Sequence, residues 1–367
     1  MKELFKPYEN RDVLHTRPER PLGRFSDFVV AELPRLVTAG DQAGLAKALE
    51  ERLPELAPLL DAEDPSWRGL DNQSLARVDI QFAFNAAYFL GITDNGLLNA
   101  LTVRAAKLTG RLPGMRYEDC VLDNPENDLR TLFEGAVGGT EADFYLGHKY
   151  IERHLASAID DVVAAIELCR SNFDQSVAEQ LVRDAIAEFD GVIGYMGQLH
   201  KGMATEDFNI FRLCLSSVTL DKKFADEFPL LKPDANGDVK VDGASGKDSH
   251  RIPTLDLLIL GRSLDPAYLG HLDKMTPYFP VQGQTDLALG RQIANEGLSL
   301  YDIADNEACA DSLRSAILAL QKAKQVFRSH HMAAVIHHLP GIKQGTGGED
   351  PIPFMSRIMK QTTPKRK

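Results

Sequence analysis

Positive charge is in short supply in this chain of 367 residues: 41 Lys and Arg stand against 53 Asp and Glu, a formal net charge of −12. Nucleic acid is bound through clustered cations, so this balance argues against such a partner. The one dense basic run, PKRK at 364–367, reads as a solvated end. Cysteine is scarce too. Cys120, Cys169, Cys214 and Cys309 lie far apart and form no CxxC, which indicates neither a disulfide framework nor a zinc ribbon and fits a reducing, cytoplasmic setting. Long hydrophobic runs are missing: no stretch of about 18 uncharged apolar residues occurs, and the first residues hold no apolar signal-peptide core. Neither secretion nor membrane spanning is expected. Strand signals are few, the exception being KPDANGDVKVDG, where Asn236-Gly237 between polar and β-branched residues predicts a short hairpin.

Helical periodicity is present throughout, over a composition that is 44% hydrophobic, enough to bury a substantial core. The expectation is an all-α fold. Residues 1–115 read as a small N-terminal helical domain, with an irregular start over 1–25, and residues 116–367 as a large helical domain. The boundary is placed in RLPGMRYEDCVLDNPENDLR (111–130), where two prolines and many polar residues break the pattern. Beyond it the helices lengthen, the last running from about Asn306 to His338.

That last helix carries four of the ten histidines within nine positions: His330, His331, His337 and His338. At about 100° per residue, Leu313, Ile317, Leu320, Phe327, His331, Val335 and His338 share one stripe, while His330 and His337 project to the side. Residues seven apart are about 10 Å apart along the axis, too far to share a zinc ion. There is no HExxH, so the cluster alone is no mononuclear zinc site. A histidine on an apolar stripe is more often a core residue than a ligand. The segment after the helix, GIKQGTGGED, has three glycines at its centre, Gly345, Gly347 and Gly348, and can move over a bound molecule with Thr346 supplying a hydroxyl. It lacks the Lys-Ser/Thr of a phosphate loop.

FRSHH together with the GTGG after it resembles the C-terminal end of the heme-dependent indoleamine and tryptophan 2,3-dioxygenase superfamily, which includes the pyrrolnitrin-pathway enzyme that rearranges chlorotryptophan. In that family an Arg-x-x-His supplies the proximal iron ligand, so the resemblance implies Arg328 beside the heme and His331 on the metal. FYLGHKYIERHLASAIDD resembles the helix over the distal heme face, with Phe144 against substrate and His148 catalytic. DFNIFRLCLSS resembles the substrate helix, with Phe208 and Arg212 sharing one face. GASGKDSHRIPTLDLLILG resembles the loop and helix at the heme edge, bringing Gly243, Ser245 and Asp256 to the cofactor, with Asp256 paired to the arginine of Arg-x-x-His. Thr346 and Gly347 would meet the amino-acid end of the substrate. These likenesses span about 141–355. Departures are Phe208, where the tryptophan dioxygenases tend to carry Tyr, and Pro340 between helix and loop.

The resemblance implies a non-covalent, b-type heme, dioxygen as co-substrate, and oxidative opening of the indole 2,3-bond of tryptophan or a related aromatic amino acid, in a monomer or homo-oligomer. Two other outcomes are open: a biosynthetic heme enzyme that rearranges or monooxygenates a substituted tryptophan, and a non-catalytic heme-binding protein.

Overall fold

The computed structural model describes residues 20–60, 73–171, 174–220, 222–228, 231, 233–234, 237–276, 279–343, 345–346 and 350–363. The irregular start expected over 1–25 therefore lies mostly outside the described residues. The chain is all-α, with two three-residue strands among the described residues. Among the described residues five helices come first: α1 (Arg24–Ala31), α2 (Leu33–Thr38), α3 (Gln42–Arg52), α4 (Gln73–Phe89) and α5 (Gly96–Leu108). Capping chemistry sets the starts of two of them, as the Asp41 and Asn95 side chains accept from the Gly44 and Leu98 amides. Pro34 sits at the start of α2, which separates it from α1.

The second half is built on α6 (Gly135–Ser171) and α7 (Gln175–Gly202), an antiparallel pair in which Asp174 caps the start of α7. A β-carbon on Gly147 would come within 2.3 Å of Leu199, so this glycine lets the two helices approach closely beside His148. Then come α8 (Thr205–Phe211), running into a single 3₁₀ turn Arg212–Leu215, α9 (Arg251–Leu260), α10 (Pro266–Met275), α11 (Val281–Glu296), α12 (Leu300–Ala304), α13 (Asp311–His338) and α14 (Pro351–Gln361). The long C-terminal helix thus begins at Asp311, five residues later than periodicity alone suggests.

The expected hairpin is present only as an isolated antiparallel bridge, Pro233 opposite Val239, and the regular ladder lies elsewhere. β2 (Val239–Val241) pairs antiparallel with β1 (Val218–Leu220), Val218 opposite Val241, so its partner lies some twenty residues upstream. Alternation explains the pairing: Val218, Leu220, Val239 and Val241 are buried, while Thr219 and Lys240 face out. A tight turn at Gly237, whose amide donates to the Asp234 carbonyl, precedes β2; Asn236 lies outside the described residues.

Apolar side chains form two buried clusters. One joins α1–α5, the 111–133 segment and Tyr145 to the β1–β2 region; the other joins most of α6 and α7 to α9–α13. The 111–130 segment is irregular, as its prolines dictate, yet it is buried. Arg77 and Arg111 reach Asp119 at 2.8 and 3.4 Å, Arg116 reaches Asp248 at 2.9 Å, and Arg130 reaches Asp79 at 2.8 Å. Its polar residues are partners in an internal ionic network that ties α4 to the loop leading into α9, which is why polarity there does not mark an exposed linker.

Candidate functional site

A cavity of about 300 Å³ opens between α6, α8, α10, α13 and α14, and the loop 244–249. Most of its wall is apolar. A smaller recess of about 130 Å³ adjoins it beneath Met196, Leu199 and Met203.

Eight of the eleven residues singled out from the sequence line the main cavity: Phe144, His148, Phe208, Arg212, Ser245, Arg328, His331 and Thr346. Asp256 stands behind the wall. Gly243 does so as well, and Gly347 lies outside the described residues. A β-carbon on Gly243 would sit 1.9 Å from the Leu215 carbonyl oxygen, so only glycine allows this loop to abut the turn that carries Arg212. The Gly243 amide donates to the Thr346 carbonyl at 3.1 Å, which fixes the loop after α13 against the loop after β2.

Helix α13 presents Phe327, Arg328, His331 and Val335 to the cavity, whereas His330 and His337 are exposed. The His331 ring stacks on Phe327, centroids 6.1 Å apart, and makes no hydrogen bond among the described residues. Burial, with His148 and Arg328 nearby, pushes its pKa down to about 4, leaving a neutral imidazole at neutral pH. One turn back, Arg328 donates to Asp256 at 2.6 Å and to the Thr362 hydroxyl. Lys324 reaches the other Asp256 oxygen at 2.6 Å, and the Tyr268 hydroxyl donates to Asp256 at 2.5 Å. Burial would raise the Asp256 pKa, but Arg328 and Lys324 outweigh it and hold the carboxylate below its ordinary value. Burial takes Lys324 down to about 8. Two cations thus share one carboxylate in a buried cluster, leaving it net positive at neutral pH.

Across the cavity, α6 carries Phe144 and His148 one turn apart on a single face. One ring nitrogen of His148, Nδ1, lies 2.8 Å from the Phe144 carbonyl. A carbonyl only accepts, so Nδ1 holds the proton and Nε2 keeps a free lone pair; burial lowers the pKa and favours this neutral form. Phe144 meets Phe208 at 5.6 Å and His148 at 4.1 Å between centroids. Arg212 stands one turn after Phe208. Its Nε donates to Asn209 at 3.0 Å, and burial lowers its pKa. Arg212 lines the cavity, and among the described residues no carboxylate pairs with it.

Asn209 was not legible as a site residue. Its amide donates to the Thr205 carbonyl at 2.9 Å and to the His338 carbonyl at 3.2 Å, which turns the amide oxygen toward Arg212. His338, buried at the end of α13, is hydrogen-bonded to His200 and to the Thr205 hydroxyl, each at 2.8 Å. Tyr117 and Glu152 also line the cavity, the Tyr117 hydroxyl donating to Glu152 at 2.9 Å. Glu152 could have been found four residues after His148 on the same face; Tyr117 comes from the irregular segment and has no local signal.

Among the described residues no group of three or more His, Cys, Asp or Glu is arranged to hold a bare metal ion, and no helix is long and apolar enough to cross a membrane. No protein-family model matches the chain, and no curated protein matches it.

Proposed function

We propose that this protein is a heme-dependent oxygenase of aromatic amino acids, with His331 as iron ligand and tryptophan or a related indole as substrate. The observation that carries the reading is His331 itself. It lines an apolar cavity and, among the described residues, its ring makes no hydrogen bond, while burial favours the neutral imidazole. One such nitrogen cannot cage a bare ion, but it suits an iron that arrives with four macrocycle nitrogens. The net positive Arg328–Lys324–Asp256 cluster behind the same wall fits a cofactor bearing carboxylates. Heme, when bound, supplies the activation of dioxygen needed to open the indole 2,3-bond.

The chain's own residues divide the remaining work. Arg212 offers its fork to a carboxylate, and the lack of a competing acid among the described residues leaves that fork available. Phe208 and Phe144 pack against an aromatic ring. His148, with Nδ1 committed to a carbonyl, accepts the indole N–H at Nε2 and so sets the ring's orientation. Apolar lining excludes water from the reacting edge. Thr346, pinned through Gly243, closes the amino-acid end.

The reading is tested by the absorption spectrum of heme-loaded protein, ferrous and under carbon monoxide, with and without L-tryptophan. Expected are a Soret band that shifts with L-tryptophan, its loss in His331→Ala, and N-formylkynurenine from the reduced enzyme. Wild-type protein without a Soret band, or a band of equal strength in His331→Ala, overturns it.

A further inference from the structure

The aromatic wall of α6 ends in an acid. Glu152, two turns beyond Phe144 and one beyond His148, is 2% exposed and lines the cavity. Its Oε1 accepts from the Tyr117 hydroxyl at 2.9 Å, and the Tyr117 ring packs edge-on against His148 at 6.1 Å. Its Oε2 is buried and, among the described residues, accepts no hydrogen bond. Arg251 balances the charge from 3.5 Å, but its Nη1 donates to the Glu152 main-chain carbonyl instead. A buried acceptor without a donor is costly unless something else supplies one.

We infer that Glu152, oriented by Tyr117, is a ligand subsite that takes a hydrogen-bond donor, an O–H or N–H, carried on the ring of the bound aromatic amino acid. The inference rests on the proposal that this cavity holds such an amino acid. The wall runs from a cation to an anion: Arg212, Phe208, Phe144, His148, then Glu152. With the carboxylate of a ligand at Arg212 and its ring N–H at His148, a group one helical turn further, about 5–6 Å along α6, belongs to the far edge of the ring. Unsubstituted indole has only C–H there. A hydroxyl or amino substituent fills the gap and satisfies Oε2, so the substrate class is a ring-hydroxylated or ring-aminated indole amino acid in preference to tryptophan itself.

The probes are L-tryptophan and its 4-, 5-, 6- and 7-hydroxy derivatives, titrated calorimetrically into the full heme-loaded chain. At least one hydroxytryptophan is expected to bind about tenfold or more tightly than L-tryptophan, since a site built for a donor rejects the analogue lacking it. In Glu152→Leu that preference is expected to fall to within about twofold. Glu152→Gln keeps the shape and an acceptor for Tyr117, and if the leucine variant does not fold it carries the test, with a preference reduced at least about threefold. The subsite is overturned if L-tryptophan binds the wild type and no hydroxy derivative binds more tightly, or if the preference survives in the folded Glu152 variants. If the wild type binds none of the five, the aromatic amino acid reading fails and the subsite falls with it.

Discussion

Asn209→Asp isolates the role of Arg212 by adding a charge without adding bulk. The side-chain oxygen of Asn209 already accepts from Arg212 Nε at 3.0 Å, so aspartate keeps an acceptor there and adds a charge, while it loses the donations to the Thr205 and His338 carbonyls, a loss that Asn209→Ala shares. Two unit charges about 4 Å apart attract by about 4 kcal/mol at an effective dielectric near 20. Arg212 is only half-buried, and solvent-screened pairs are worth about 0.2–1 kcal/mol. An intermediate value of about 1–2 kcal/mol corresponds to a loss of about 5–30-fold in affinity for a carboxylate ligand that must displace or share the pair. L-tryptophan and L-tryptophanamide, titrated calorimetrically into wild type, Asn209→Asp and Asn209→Ala, separate charge from shape. The expected pattern is about tenfold weaker L-tryptophan binding in Asn209→Asp, a smaller loss in Asn209→Ala, and an amide that binds the aspartate variant much as it binds wild type. Equal weakening of both ligands, or none, would refute Arg212 as the carboxylate contact.

The buried groups lead to three further outcomes. Asp256→Asn leaves Lys324 and Arg328 buried around a neutral amide and is expected to cost about 3–5 kcal/mol in urea unfolding, part of it recovered by a second change, Lys324→Met. Gly243→Ala drives a β-carbon into the Leu215 carbonyl, 1.9 Å away; a fall in melting temperature equivalent to about 2 kcal/mol or more is expected, and an unchanged melt would show that this loop does not abut the Arg212 turn. Burial raises the Glu118 pKa from 4.5 to about 8 against the opposing pull of Arg111 and Arg116. The folded state therefore holds this proton more tightly than the unfolded chain. Its contribution is complete below pH 4.5 and is lost as pH rises through about 8, so unfolding free energy should decline across that window and the decline should flatten in Glu118→Gln.

The helical class was readable because long amphipathic segments with Asp, Asn and Ser starts dominate the chain, and the stripe on α13 separated His331 from His330 without tertiary information. Local spacing likewise carried Phe144 with His148 and Phe208 with Arg212, since each pair is one helical turn apart. Non-local contacts escaped. Tyr117 reaches Glu152 from a segment whose polar residues resemble those of a surface loop, because a chain of charges looks the same whether its partners are water or arginines elsewhere in the fold. Asn209 is an ordinary helix residue until the His338 carbonyl arrives from 129 positions away to fix its amide. The partner of β2 was hidden for the same reason, three residues being too few to announce a strand.

Thr362 gives the molecule an order of assembly. Its carbonyl accepts from Gln321 at 2.8 Å and Gln325 at 2.9 Å, its hydroxyl accepts from Arg328, and the adjacent Gln361 carbonyl accepts from the Asp265 amide at 3.3 Å. These bonds hold α14, and with it Phe354, Met355, Ile358 and Met359, as one wall of the cavity. During synthesis the N-terminal parts of a chain form first. Here the wall opened by Tyr117 is closed only after residue 362 has left the ribosomal tunnel, so a nascent chain offers an open trough, and whatever the cavity retains is captured after translation reaches that point.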